Sequence, residues 1–120
     1  MKKILIIDDD HDFSNLIKSL LGYNNYRAVI VNDPQKGMIT AEREKPDLIL
    51  LDVLMSEMSG REVCEALKRD EKTKNIPIIF LTGIDPDDDR VRELMVDNSA
   101  VLRKPFESEQ LLETITQLLK

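Results

Sequence analysis

Asp8, Asp9 and Asp10 stand in a row, with Asp12 close behind, directly after the apolar run Ile4-Leu5-Ile6-Ile7. Crowded carboxylates repel one another, and a buried one is costly unless a cation or hydrogen bonds compensate it. Three further apolar runs also end in polar chemistry: "DLILL" in Asp52, "PIIFL" in Thr82, and "AVL" in Arg103-Lys104-Pro105. Gathered aspartates suit a hard divalent cation, which takes oxygen ligands. Mg²⁺ is typically held by one or two carboxylates, with waters and phosphate oxygens completing its shell. An ammonium and a hydroxyl beside such a cation could clasp a phosphoryl group, because phosphoryl transfer is mostly positioning and neutralisation of charge. A carboxylate can itself be the nucleophile and form an aspartyl phosphate. Asp52 is the best candidate because it stands alone at the end of its run, leaving Asp8 and Asp9 paired for the metal.

These residues need a scaffold that brings them together. "KILII" (3–7), "RAVIV" (27–31), "DLILLD" (47–52), "PIIFLT" (77–82) and "AVL" (100–102) read as strands. Helix-period stretches lie between them. Phe13, Leu16, Ile17, Leu20 and Leu21 repeat at the spacing of one helix face, with Gly22 as a stop. Asp33-Pro34 supplies an N-cap and a first-turn proline for a helix that turns Met38 and Ala41 inward and runs to about Glu44. Val63, Ala66 and Leu67 mark a third helix after Gly60, and Val91, Leu94 and Met95 a fourth. Leu111, Leu112, Ile115, Leu118 and Leu119 mark the last. Five strands alternating with five helices predict a doubly wound α/β domain, its parallel sheet covered on both faces. Right-handed crossovers put all the strands' carboxyl ends along one edge, where ligands of open α/β sheets sit at the reversal of strand order. A reversal between the first and third strands would make Asp8, Asp9 and Asp52 converge.

Composition narrows the function. With 120 residues, 42% hydrophobic and 33% charged, the chain is expected to fold as one domain, 1–120. No apolar run approaches the length of a membrane span. A net charge of −6 argues against a sequence-independent grip on nucleic acid. Cys64 is the single cysteine, which leaves no disulfide framework and suits a cytoplasmic setting.

In their order and spacing, "IIDDD", "PDLILLDVLM" with "SG" closing the loop, "IIFLTG" and "LRKPF" resemble the receiver domain of bacterial two-component response regulators over essentially the whole chain. The resemblance implies a flavodoxin-like fold with strand order 2-1-3-4-5. It implies that Asp52 is the phosphoacceptor and that Asp8 and Asp9 bind Mg²⁺ (or Mn²⁺) with Asp52 and the backbone carbonyl of Leu54. Thr82 and Lys104 would contact the phosphoryl group, and the Lys104-Pro105 bond would be cis. The implied partners are a histidine kinase or histidine phosphotransfer protein as donor and a downstream protein as target. The domain would act by protein–protein contact, without nucleic acid or membrane, as a stand-alone regulator or phosphorelay intermediate. It would be a switch that assists its own phosphorylation and dephosphorylation, not an enzyme.

The chain departs from the family pattern at Ser56, where proline is common, and at Gly83, where alanine is usual. Asp97-Asn98 replaces Gly-Ala, and Val101 stands where the family carries the aromatic that reports phosphorylation. Valine is too short and stiff to swing as that aromatic does. The read-out is therefore expected to travel through the backbone after Thr82, where Gly83 adds freedom. Other residues have plainer readings. Asp10 and Asp12 start a helix, His11 lies on the surface, Cys64 packs, Met55 and Met58 cover the acceptor loop, and "DPDDDR" (85–90) opens the fourth helix. The competing function is a haloacid-dehalogenase-like, Mg²⁺-dependent phosphohydrolase. Its nucleophile would be Asp8, and it would need Asp8-Ile-Asp10 where this chain has Asp9.

Overall fold

The computed structural model describes residues 1–53, 60–85, 87–93 and 98–120. Its centre is a parallel sheet of β1 (Lys3–Ile7), β2 (Arg27–Val31), β3 (Leu48–Asp52), β4 (Ile78–Thr82) and β5 (Ser99–Arg103), in the order β2-β1-β3-β4-β5. Every residue of β3 and β4 is buried, as is Ile4 to Ile7 of β1. A parallel strand covered on both faces has no water-facing side, so its sequence is apolar throughout rather than alternating. Alternate side chains feed two cores. Leu5, Ile7, Leu51 and Phe80 join Val63, Cys64 and Leu67 on one face. Ile4, Ile6, Leu50 and Leu81 join Ile17, Leu21, Leu111 and Ile115 on the other.

The connecting helices are α1 (His11–Tyr23), α2 (Gly37–Glu44), α3 (Gly60–Arg69), α4 (Asp89–Arg92) and α5 (Ser108–Leu118). Only four of these are helices of two turns or more. Where a fifth full helix was expected, the described residues give the single turn α4. Val91 is buried there as expected, while Leu94 and Met95 lie outside the described residues. Local chemistry sets the starts. The Asp10 carboxylate accepts from the Phe13 N–H at 3.0 Å to cap α1, and Asp33 caps a 3₁₀ turn, Pro34–Lys36, that leads into α2. The Glu107 N–H donates to the Gln110 side chain at 2.9 Å at the start of α5.

Two expectations for α1 need correction. Gly22 does not stop the helix, which runs on to Tyr23 and is closed by Asn24 and by Asn25 in the left-handed region at φ 68°. Asparagine serves at that position because its short polar side chain tolerates positive φ. Leu16, assigned to the buried face, is 67% exposed. The apolar stripe is wider than the surface the sheet and α5 cover. Gly22 thus occupies a helical position with no atom within 4 Å of a Cβ placed on it. Gly22→Ala should stabilise the protein by up to about 0.5 kcal/mol, less than the full helix-interior value because Gly22 lies in the last turn of α1. Urea unfolding measures it, and a loss of stability would mean the glycine is needed as a cap after all.

Candidate functional site

The carboxyl edge of the sheet carries the predicted residues. Asp8 follows β1 and keeps the ladder going, its N–H donating to Val31 O at 3.1 Å. Asp52 closes β3, beside β1 in the sheet, so the reversal of strand order falls where the sequence requires it. Asp8, Asp9 and Asp52 each offer a carboxylate oxygen, and these oxygens lie within 4.8 Å of one another. Asp8 is fully buried and Asp52 is 8% exposed.

Lys104, just past β5, reaches into this group. Its Nζ lies 3.1 Å from Asp8 Oδ2 and 3.4 Å from Asp52 Oδ2. Its backbone N–H donates to Thr82 O, tying the end of β5 to that of β4, and the Lys104-Pro105 bond is cis. Thr82 is fully buried, and its hydroxyl oxygen accepts the Ile84 N–H at 2.9 Å. The hydroxyl therefore sits at the root of the β4–α4 loop. Leu54 and Ser56 lie outside the described residues, as do Met55, Met58 and Asp97.

Burial pushes the Asp8 carboxyl up to about 6, with repulsion from Asp52 adding to it. The Asp10 N–H, donated to Asp8 Oδ1 at 3.0 Å, and the Lys104 ammonium pull the other way. Burial is thus the main reason that Asp8 resists ionising, and a cation bound among these acids would favour its charged form. Its donors are all oxygens, with no thiolate or imidazole among the clustered ligands. Such a set fits a small hard cation and not a zinc centre.

Sequence reasoning missed the supports behind the acids. Asn32 Nδ2 donates to Asp8 O at 2.7 Å and to Ser14 Oγ at 3.2 Å. Ser14, wholly buried, donates to Asp10 O at 2.8 Å. These contacts pin the backbone of the acidic loop, and the Asn32 amide gives the carbonyl of buried Asp8 a hydrogen-bond partner. Ser14 could have been found, since it is a polar residue amid the apolar stripe of α1; Asn32 carries no such signal. The plainer readings agree with the structure where they can be compared. His11 is exposed at the start of α1, and Cys64 is buried in the core, where desolvation raises its thiol. Asn98 adopts φ 59°, which suits the asparagine of the Asp97-Asn98 departure. Gly83 has no positive φ and open space where a Cβ would be, so no steric demand explains it. Val101 is half-buried beside Phe80 in the β4–β5 register, packed against the core on the α2–α3 side.

Comparison with known proteins agrees with this geometry. The chain is 37% identical over 123 residues to the DNA-binding dual master transcriptional regulator RpaA of Synechocystis, matching all of this chain and 50% of that protein. The chain spans about half the length of the first curated relatives it matches. Among solved structures, the chemotaxis protein CheY4 of Vibrio cholerae superimposes with a TM-score of 0.90 at 27% identity, covering 99% of both chains. A receiver domain of a Pseudomonas aeruginosa sensor histidine kinase, which has a magnesium ion coordinated in its active site cleft, gives a TM-score of 0.88 at 25% identity, covering 98% of this chain and 97% of that one. These relatives give no support to the phosphohydrolase alternative. The family model for the response regulator receiver domain matches residues 4–116, and with an acidic cluster and a lysine meeting at the expected sheet edge, the chain belongs to the receiver domains of two-component response regulators.

Proposed function

We propose that Asp52 accepts a phosphoryl group from a phosphohistidine on a histidine kinase or phosphotransfer protein. The observation that carries this is the meeting of Asp8, Asp9 and Asp52 within 4.8 Å, with Lys104 spanning Asp8 and Asp52. An Asp52 carboxylate oxygen attacks phosphorus as the histidine N–P bond breaks, and the electron pair of that bond stays on the imidazole nitrogen. Asp8 and Asp9 would hold Mg²⁺, or Mn²⁺ in its place, with Asp52 and, on the family resemblance, the Leu54 carbonyl. When bound, the cation neutralises charge on the phosphoryl oxygens. Lys104 supplies a second positive charge to the same oxygens, and the Thr82 hydroxyl turns toward them, carrying the β4–α4 loop with it.

The single receiver domain, 1–120, thus acts as a switch in the cytoplasm, taking part in its own phosphorylation and dephosphorylation through these residues. It signals to a target protein through an altered surface, itself touching neither nucleic acid nor membrane. Among the described residues, no helix is long and apolar enough to cross a membrane. The donor docks on the groove of about 530 Å³ between α1 and the Pro105–Ser108 segment, lined by Phe13, Leu16, Leu20, Tyr23, Pro105 and Phe106. Leu16 and Tyr23 are 67% and 91% exposed there, and apolar side chains left in water along a groove mark a contact surface.

Two phosphodonors separate chemistry from docking. Leu16→Glu should slow transfer from a phosphorylated histidine phosphotransfer protein at least about tenfold, the scale of a lost interface anchor. Its rate with acetyl phosphate, which needs no docking, should be unchanged. Equal transfer rates for variant and wild type would remove the groove from the proposal. Failure of Asp52→Asn to block transfer would remove the site.

A further inference from the structure

Lys104 carries its charge on a flexible four-carbon stem, and a compact ammonium of this kind has no directional preference of its own. Asp8 and Asp52 pull it from one side. On another side, Nζ lies 4.0 Å from the centroid of the Phe13 ring. That is well inside the range at which a cation is drawn to an aromatic face. Phe13 in turn meets Phe106 edge to face, with centroids 6.0 Å apart and planes at 87°. Phe106 follows Lys104 by two residues on the β5–α5 connection, whereas Phe13 sits in the first turn of α1, just after the acidic loop. The aromatic pair therefore joins the segment carrying the lysine to the segment carrying the metal-binding acids.

Both rings also pack against the core shared by α1 and α5. Leucine would serve for that packing, but it offers no ring face to an ammonium. We propose that Phe13, backed by Phe106, is a positioning residue that holds the Lys104 ammonium at the mouth of the Asp8–Asp52 pocket. There the ammonium is ready for phosphoryl oxygens arriving on Asp52. The inference rests on the reading of Asp52 and Lys104 given above. It adds a third wall to the lysine's site: two carboxylates draw the ammonium in, and the ring keeps it from swinging out to water.

The test uses the full chain with Phe13→Leu, Phe13→Tyr, Lys104→Ala and the double variant Phe13→Leu/Lys104→Ala. In proton NMR, the Lys104 ε-methylene should be shifted upfield by the ring current in the wild type and in Phe13→Tyr. It should move to the ordinary lysine position in Phe13→Leu. With acetyl phosphate and saturating Mg²⁺, Phe13→Leu should phosphorylate about fivefold more slowly, and Phe13→Tyr within about twofold of wild type, since tyrosine keeps the ring face. In the Lys104→Ala background, Phe13→Leu should cost nothing further, because the group it positions is gone. A ring that only packs would slow both backgrounds alike, which overturns the proposal. So would a wild-type rate in Phe13→Leu, or an ε-methylene unmoved by that substitution. A wild-type rate in Lys104→Ala would instead defeat the underlying site reading, and labelling of Asp52→Asn would do the same. The NMR arm reports the lysine's position whichever way those controls fall.

Discussion

Asp52→Asn should take up no phosphoryl group from acetyl phosphate and Mg²⁺, a loss of more than about a hundredfold in a reaction whose nucleophile has been removed. An amide has nearly the shape of the carboxylate, so the fold and the β1–β3 register should survive. Loss of labelling would then be chemical rather than structural. Lys104→Ala gives the graded counterpart. The ammonium bridges Asp8 and Asp52 at 3.1 and 3.4 Å, and its removal leaves those acids without their nearest cation. Phosphorylation should fall by about tenfold or more, the loss of one charge-assisted contact to the transferring group. Mg²⁺ should still bind, since no carboxylate has been touched. If Asp52→Asn labels at the wild-type rate, the nucleophile lies elsewhere.

The second large effect concerns Asp8. Its carboxyl is raised from 3.8 to about 6 by burial, with Asp52 adding to the rise. The folded protein therefore holds this proton to a higher pH than the unfolded chain does. Without metal, stability falls as pH rises from about 4 to 6, and the full cost is present above that window. The size of the shift puts that cost on the order of 3 kcal/mol. Asp8→Asn carries no such charge and should be more stable than wild type at pH 7.5 by about 1–3 kcal/mol without metal, an advantage that disappears at pH 4. Mg²⁺ should reverse the ranking, because a ligand that binds only the folded state stabilises it. Wild type should gain from millimolar Mg²⁺ at pH 7.5 and gain little at pH 5, where Asp8 is protonated. The variant should gain little at either pH. Urea midpoints with and without Mg²⁺ at the two pH values measure all of this. Equal gains for wild type and variant would take Asp8 out of the metal site.

Much of this was legible in the sequence, for a physical reason. Strands buried on both faces must be apolar from end to end, so "ILII", "LILLD" and "IIFLT" announced themselves. Their carboxyl ends then had to share an edge. The three carboxylates needed nothing further to meet. Less visible were features settled by neighbours in space. Gly22 looks like a helix stop, but the chain can turn just as well at Asn24–Asn25, and the helix runs on to that pair. Leu16 belongs to the apolar stripe by spacing, yet among the described residues it is left 67% exposed. Ser14, Asn32 and Phe13 act through a carbonyl, a loop and an ammonium that are distant in the chain, so no local pattern could assign their partners. The fourth helix shows the same limit: one buried valine marks where it sits, not how far it extends.

The position of the acyl phosphate decides whether Asp52 is the nucleophile. Wild-type protein phosphorylated by acetyl phosphate can be reduced with borohydride, which converts the aspartyl phosphate to a stable alcohol at the modified residue. Peptide mapping by mass spectrometry then locates that residue. Modification is expected at Asp52 alone, dependent on Mg²⁺ and absent when Asp8 and Asp9 are both replaced by Asn. Modification at Asp8 would contradict it, making the first strand's acid the nucleophile and the chain a phosphohydrolase in its chemistry.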